Sequence, residues 1–360
     1  MLGQGAARAV LERACGAGRV HHCWIFHGPA GVGKFKAALA FAAVLLDPTS
    51  RALPAGGFEP EPESPTQRLL RAGVHPDLHV VTKELARFSD DERARLNKLI
   101  TIPKAVILEH VIRPAELAPS IPTDAIASKV FIIDEAELLD RSPTNAPVQN
   151  SLLKTLEEPP ARTVIILVTS NESMLLPTIR SRAQRVAFGL LGEQHMRRWM
   201  ATLDPAPAAE EAQWLLGFAS GSPGVFSSAL EAGIFAWWQR LAPMLARIRA
   251  GAFVVEAGPT MSELVEAYSS DWVERFPQAS KEAANHAAAD WIYSILGYWL
   301  RGELARAAGD HDQAARLLGA VECLRLAETQ TASNVSSLFV MDSLAAGLAA
   351  CCAGEREFVA

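Results

Sequence analysis

One stretch near the start of the chain leaves few alternatives for how the rest can fold. Trp24-Ile25-Phe26-His27 is a short apolar run, Gly28-Pro29-Ala30-Gly31-Val32-Gly33-Lys34-Phe35 follows it, and an apolar segment runs from Ala37 to Leu46. Strand, glycine-rich turn ending in Gly-Lys, and helix make the P-loop arrangement. There, successive backbone N–H groups cradle phosphates and the lysine reaches the outer ones. One position departs from the pattern. Phe35 stands where a Ser or Thr hydroxyl ligates Mg²⁺, and a phenyl ring cannot do so. The turn keeps a means of holding phosphate and lacks one means of holding the metal.

A second stretch gives that reading a partner. Lys129-Val130-Phe131-Ile132-Ile133 ends in Asp134-Glu135, with Ala136-Glu137-Leu138-Leu139 beyond. A continuous apolar run closed by carboxylates reads as a buried parallel strand delivering acid groups at its C-terminal edge. Alone it is a weak signal, but downstream of a P-loop it reads as a Walker B strand. Asp134 would then hold Mg²⁺ through water, and Glu135 would polarise the attacking water. Next come a helix from Asn150 stopped by Pro159-Pro160, and a further buried strand, Thr163 to Val168. Its polar tip, Thr169, Ser170 and Asn171, holds the candidates for sensing a γ-phosphate, though any of them could simply end the strand. Leu176 to Val186 then brings Arg180, Arg182 and Arg185 close together.

The 360 residues exceed one ordinary domain and suggest two or three. Apolar residues make up 49% and charged ones 21%, enough for substantial cores. A formal charge of −6 and a pI near 5.9 exclude a broad basic surface for autonomous nucleic-acid binding. Five cysteines, Cys15, Cys23, Cys323, Cys351 and Cys352, lack C-x-x-C spacing and fit a reducing cytoplasm. No secretory leader is apparent and no apolar run reaches ~18 residues, so a cytoplasmic protein without a membrane span is expected. His21-His22 lacks a third ligand at metal-site spacing and reads as a polar turn. Residues 5–18 read as a helix closed by glycine. Residues 47–67, rich in Pro and Gly, read as an exposed loop, residues 89–100 as a capped charged helix, and residues 102–114 as extended or short-helical. From Gly233 onward the pattern is long amphipathic helices, with stripes at Ile292, Ile295, Leu296 and Trp299 and at Leu317, Val321 and Leu324, and no catalytic constellation among them.

These residues resemble the clamp-loader branch of the AAA+ ATPases, most closely the bacterial DNA polymerase III delta-prime family. The likeness rests on Gly28 to Lys34, His75-Pro76-Asp77, Ile133 to Glu137, Ser181-Arg182, and Leu152-Leu153-Lys154-Thr155-Leu156-Glu157-Glu158-Pro159-Pro160, a run far more specific than the P-loop. It spans roughly residues 2–230. The fold it implies is α/β: an AAA+ P-loop parallel-sheet domain (1–188), a small helical lid (189–230) and an all-α C-terminal collar (231–360). The resemblance further implies a hetero-pentamer with gamma/tau- and delta-type subunits that loads a sliding clamp on primed DNA. Arg182 would be an arginine finger reaching the ATP of the next subunit, with Ser181 positioning its turn. ATP or ADP is the implied nucleotide.

The departures are informative. Ala183 replaces the usual cysteine after Arg182. No cysteine lies between residues 46 and 125, where many relatives carry a zinc module, so no zinc and no other metal is expected. Gly224 stands where an active subunit presents a second sensor arginine. With Phe35, that makes two losses on the chain's own site, so no hydrolysis is expected there, while Arg182 is kept. The competing reading is an ATP-hydrolysing gamma/tau-like motor, favoured by Lys34, Asp134 and Glu135. A stand-alone nucleotide-binding module is a third, opposed by the Leu152 to Pro160 run.

Overall fold

The main sheet is built from β1 (Cys23–His27), β2 (Leu78–Val81), β3 (Lys129–Ile133), β4 (Thr163–Thr169) and β5 (Gln184–Ala187). In this computed structural model, which describes residues 1–16, 20–52, 57–96, 99–140, 144–275, 280–333 and 335–354, they form one sheet in the order β2-β3-β4-β1-β5. Every neighbouring pair is parallel. His27 lies opposite Thr169, Ile133 opposite Leu167, and Phe26 opposite Val186. All five C-terminal ends therefore share one edge, the edge that serves ligands in open parallel sheets.

Alternation along the strands builds two cores. Trp24, Phe26, Val130, Ile132, Ile166 and Val168 point to one face. There they meet Leu11 of α1 (Gly5–Gly16) and Ala38, Phe41 and Leu45 of α2 (Lys34–Leu46). Cys23, Ile25, Phe131, Ile133, Ile165 and Leu167 point to the other face, with Val148, Leu152 and Leu156 of α3 (Pro147–Glu157). Coverage on both faces is why these strands read as unbroken apolar runs. Gly18 and Arg19, expected to close the first helix and lead into β1, lie outside the described residues, as do parts of the 89–100 segment.

Of two connecting regions, one takes the short-helical of its two expected forms and the other departs from expectation. In the 102–114 stretch Pro103 is extended, and short helical turns follow it at Lys104–Ile107, Leu108–Ile112 and Arg113–Glu116. Residues 47–67, expected as an exposed loop, are tied down by Asp47, which is 1% exposed. Its carboxylate accepts hydrogen bonds from the Thr49 N–H and hydroxyl, the Ser64 hydroxyl and the Gln67 amide. Between these anchors Arg51–Ala52 pairs antiparallel with Phe58–Glu59, and residues 53–56 lie outside the described set.

The chain divides into two compact units, residues 1–206 with 219–225, and residues 207–218 with 226–360. The second is helical: α8 (Ile234–Arg249), α9 (Ala257–Arg275), α10 (Lys281–Arg306), α11 (His311–Ala332) and α12 (Ser337–Ala353). They follow the short helices α4 (Pro177–Arg180), α5 (Glu193–Met200), α6 (Ala209–Ala219) and α7 (Pro223–Glu231). Helix α9 packs on α10 and α12, and α11 packs on α10 and α12, closing a four-helix core. Ile292, Ile295, Leu296 and Trp299 are buried in it as expected. On α11 the stripe runs through Leu317, Ala320, Leu324 and Ala327, and Val321 is exposed instead. The seam follows spacings of three and four, and Val321 falls one residue off it. Among the described residues no helix is long and apolar enough to cross a membrane.

Candidate functional site

The glycine turn between β1 and α2 is held from two sides. Gly28 has φ 138°, and a side-chain carbon there would lie 2.1 Å from the Phe188 carbonyl oxygen. That carbonyl is brought close because Phe188 N–H donates to His27 O at 2.8 Å. On the other side, Gly224 N–H donates to Gly31 O at 2.8 Å and the Ser222 hydroxyl donates to Ala30 O at 2.9 Å. A carbon added to Gly224 would lie 2.5 Å from Gly31 Cα. Glycine at 224 thus permits the start of α7 to rest on the loop.

Lys34 opens α2 and is 7% exposed. Its ammonium donates to the carbonyls of Gly28 at 2.8 Å and Pro29 at 2.6 Å, so its hydrogen bonds go to its own loop. Burial lowers its pKa, opposed by the negative charges of Glu137 and Asp134. Asp134, at the tip of β3, has its carboxyl raised above the ordinary range by burial, against an accepted hydrogen bond from Glu135 N–H. Glu135 has a left-handed backbone at φ 48°, and its carboxylate pairs with Lys83 at 2.9 Å, two residues past β2.

Glu137 completes the cluster, and sequence reasoning gave it no role. A 3₁₀ turn at Ala136–Leu138 brings its carboxylate to the tip of β4, where it accepts from Ser170 N–H at 3.1 Å and from the Ser170 hydroxyl. Burial alone would raise its pKa. Hydrogen bonds from Ser170 and Thr169 outweigh burial and hold it below the usual glutamate range. Of the three sensor candidates, Thr169 and Ser170 therefore join the acidic cluster. Asn171 instead caps the next turn, its side-chain oxygen accepting from Ser173 N–H at 3.2 Å. A carboxylate two residues past Asp-Glu was visible in the sequence, but its direction depends on the turn.

Arg182 and Ser181 belong to a different set of contacts. They follow α4, where the Ser181 hydroxyl donates to Thr178 O at 3.1 Å and Arg182 Nη1 donates to the same oxygen at 3.0 Å. Arg182 Nη2 pairs with Glu157 Oε1 at 2.8 Å, and the Arg182 side chain is 39% exposed. The approach to this turn is fixed by Gln149, fully buried on α3, which accepts from Leu176 N–H and donates to Met174 O. Asp140 in turn accepts from the N–H groups of Val148 and Gln149 at the start of α3.

The first unit is a P-loop α/β domain of AAA+ kind, with lysine, aspartate and glutamates gathered where the strands end. A family model for "DNA polymerase III, delta subunit" matches residues 3–191, and the chain belongs to that family. The DNA polymerase III subunit delta' of Pseudomonas aeruginosa is 32% identical over 216 residues, covering 60% of this chain and 58% of that protein. The delta' subunit of Bacillus subtilis is 31% identical over 52% of this chain and 48% of its own length. A gamma/tau subunit of Mycobacterium tuberculosis is 29% identical over 56% of this chain and 30% of its own. The chain thus spans less than two thirds of each of these relatives. Among solved structures, a DNA polymerase III gamma-subunit-related protein from Thermotoga maritima shares 16% identity over 94% of this chain and 97% of its own, at a TM-score of 0.46.

Proposed function

We propose that the chain is a delta-prime-type clamp-loader subunit. It assembles with gamma/tau- and delta-type subunits in a hetero-pentamer that loads a sliding clamp on primed DNA, and it supplies Arg182 to a neighbour's ATP while hydrolysing none itself. The carrying observation is the asymmetry between the two cationic centres. The Lys34 ammonium is spent on Gly28 and Pro29 carbonyls beneath a Gly224 that cannot present a charge. Arg182 stands partly exposed on a braced turn.

The loop residues fit a phosphate better than a metal. Backbone N–H groups of Gly31 to Lys34 and the Lys34 ammonium are of the right chemistry for ATP or ADP. Phe35 offers no side-chain oxygen and packs partly buried against the core beneath α2. Bound nucleotide would supply negative charge for Lys34 to exchange for its carbonyl partners, and Glu135 would have to leave Lys83 before it could orient a water. Arg182 has the easier exchange. Its pair with Glu157 is solvent-exposed, and such pairs are worth about 0–1 kcal/mol, so a neighbour's γ-phosphate can displace it. A trans arginine of this kind contributes about 10³–10⁵ in rate. The division into nucleotide-binding domain, lid and collar belongs to the same proposal.

The test is to measure ATP turnover by the isolated chain and its co-elution with gamma/tau- and delta-type subunits on gel filtration. Co-elution without intrinsic turnover is expected. Turnover by the isolated chain would favour the gamma/tau-like motor, which retained Lys34, Asp134 and Glu135 and the gamma/tau relatives also support. Failure to co-elute would remove the clamp-loader assignment.

A further inference from the structure

The helical unit holds a cavity of about 480 Å³ that the proposed function does not use. Trp238 of α8 and Tyr298 and Trp299 of α10 line it, and Arg249, Arg301 and Arg306 also border it. Trp238 and Tyr298 meet edge to face, with ring centres 5.8 Å apart and planes at 77°. The Arg301 guanidinium lies 5.9 Å from the centre of the Tyr298 ring. Among the arginines sits Glu303, whose side chain is only 4% exposed. It accepts a hydrogen bond from Arg306 and lies 3.6 Å from Arg249.

A buried carboxylate is costly unless paired, so Glu303 has need of both arginines. The same pairing fixes two otherwise mobile guanidinium groups beside an aromatic wall. Three guanidinium groups against one carboxylate leave a net positive site on a chain of formal charge −6. Guanidinium groups match phosphate oxygens two at a time, and aromatic walls stack bases without regard to sequence. A purely apolar ligand would leave the Arg301 guanidinium without an anion, and a bare anion would leave the rings unused.

We propose that this cavity binds a nucleobase-phosphate unit of single-stranded nucleic acid, the base against Trp238 and Tyr298 and the phosphate on Arg249, Arg301 and Arg306. The site shares no residue with the phosphate loop and does not depend on the role assigned to Arg182.

The experiment titrates the full chain into a fluorescein-labelled oligo(dT) at low salt and follows anisotropy. Arg301 is the residue to change, because it is exposed and holds no buried partner. Arg301→Glu is expected to weaken binding by tenfold or more, on the order of one lost phosphate contact with added repulsion. Arg275→Glu, on α9 and paired with Asp271, is the charge-matched control and is expected to bind nearly as wild type does. Circular dichroism confirms that both variants fold. Competition separates the sources of the ligand: displacement by dTMP assigns the site to a free nucleotide as well, and displacement by unlabelled oligo(dT) alone assigns it to a strand. No saturable binding by wild type, equal affinity of Arg301→Glu, or equal displacement by a poly-glutamate peptide would overturn the proposal.

Discussion

Gly224→Ala adds a single carbon where the structure leaves no room. That carbon would lie 2.5 Å from Gly31 Cα and 3.0 Å from Gly31 O, and neither atom belongs to a flexible side chain. Relief requires α7 or the glycine loop to move, at the expense of the Gly224 N–H to Gly31 O and Ser222 hydroxyl to Ala30 O hydrogen bonds. Overpacking of this kind costs about 1–3 kcal/mol. In a unit of this size 1 kcal/mol is worth about 2–4 °C, so Tm should fall by roughly 2–12 °C in a calorimetric or circular dichroism melt. The sign is diagnostic, because Gly to Ala inside an unobstructed helix gains about 0.5–1 kcal/mol. Gly302→Ala, within α10 and with no atom near the added carbon, should show that gain. A Gly224→Ala protein as stable as wild type would refute the close seating of α7 on the loop.

Three further predictions concern charges and thiols. Because burial raises the Asp134 carboxyl, its ionised form is a liability fully present above the folded pKa and absent below the ordinary 3.8. Asp134→Asn should therefore raise Tm at neutral pH, with the gain vanishing as acid is added, and a loss at neutral pH would contradict the burial argument. Glu137 has the opposite sign: its stabilisation is present above 4.5 and lost as pH falls through its lowered folded value, so Glu137→Gln should destabilise at neutral pH and converge with wild type in acid. Burial pushes Cys23 up to about 12 and Cys15 up to about 11. Near pH 8 both should resist a thiol reagent in the native protein and react on unfolding, which mass spectrometry of labelled peptides would read.

Much of the first unit was legible because its signals are local. The apolar run of β3 reads as a doubly covered strand because Phe131 and Ile132 face opposite cores and both are buried. The glycine turn is legible for the same reason, since strand, turn and helix adjoin in the chain. What was not legible depends on residues brought from far along the sequence. Gly224 could be read as a missing arginine, but its contact with Gly31 comes from the fold. Asp47 looked like the start of a free loop, and its importance lies in Ser64 and Gln67 returning to it. Asn171 and Ser170 are adjacent and equally polar, yet only Ser170 meets Glu137. Among the C-terminal helices the apolar stripes were evident, whereas the grouping of Arg249 with Arg306 around Glu303 required α8 and α10 to pack.

Glu157→Ala should change the unfolding free energy by no more than about 1 kcal/mol, as expected for an exposed pair, while freeing the Arg182 side chain. The most direct measurement of the whole account is the steady-state ATPase rate of a reconstituted loader with clamp and primed DNA, comparing wild-type chain with Arg182→Ala. The expected result is an assembled complex whose rate falls steeply on loss of the guanidinium. An assembled complex with an unchanged rate would contradict it.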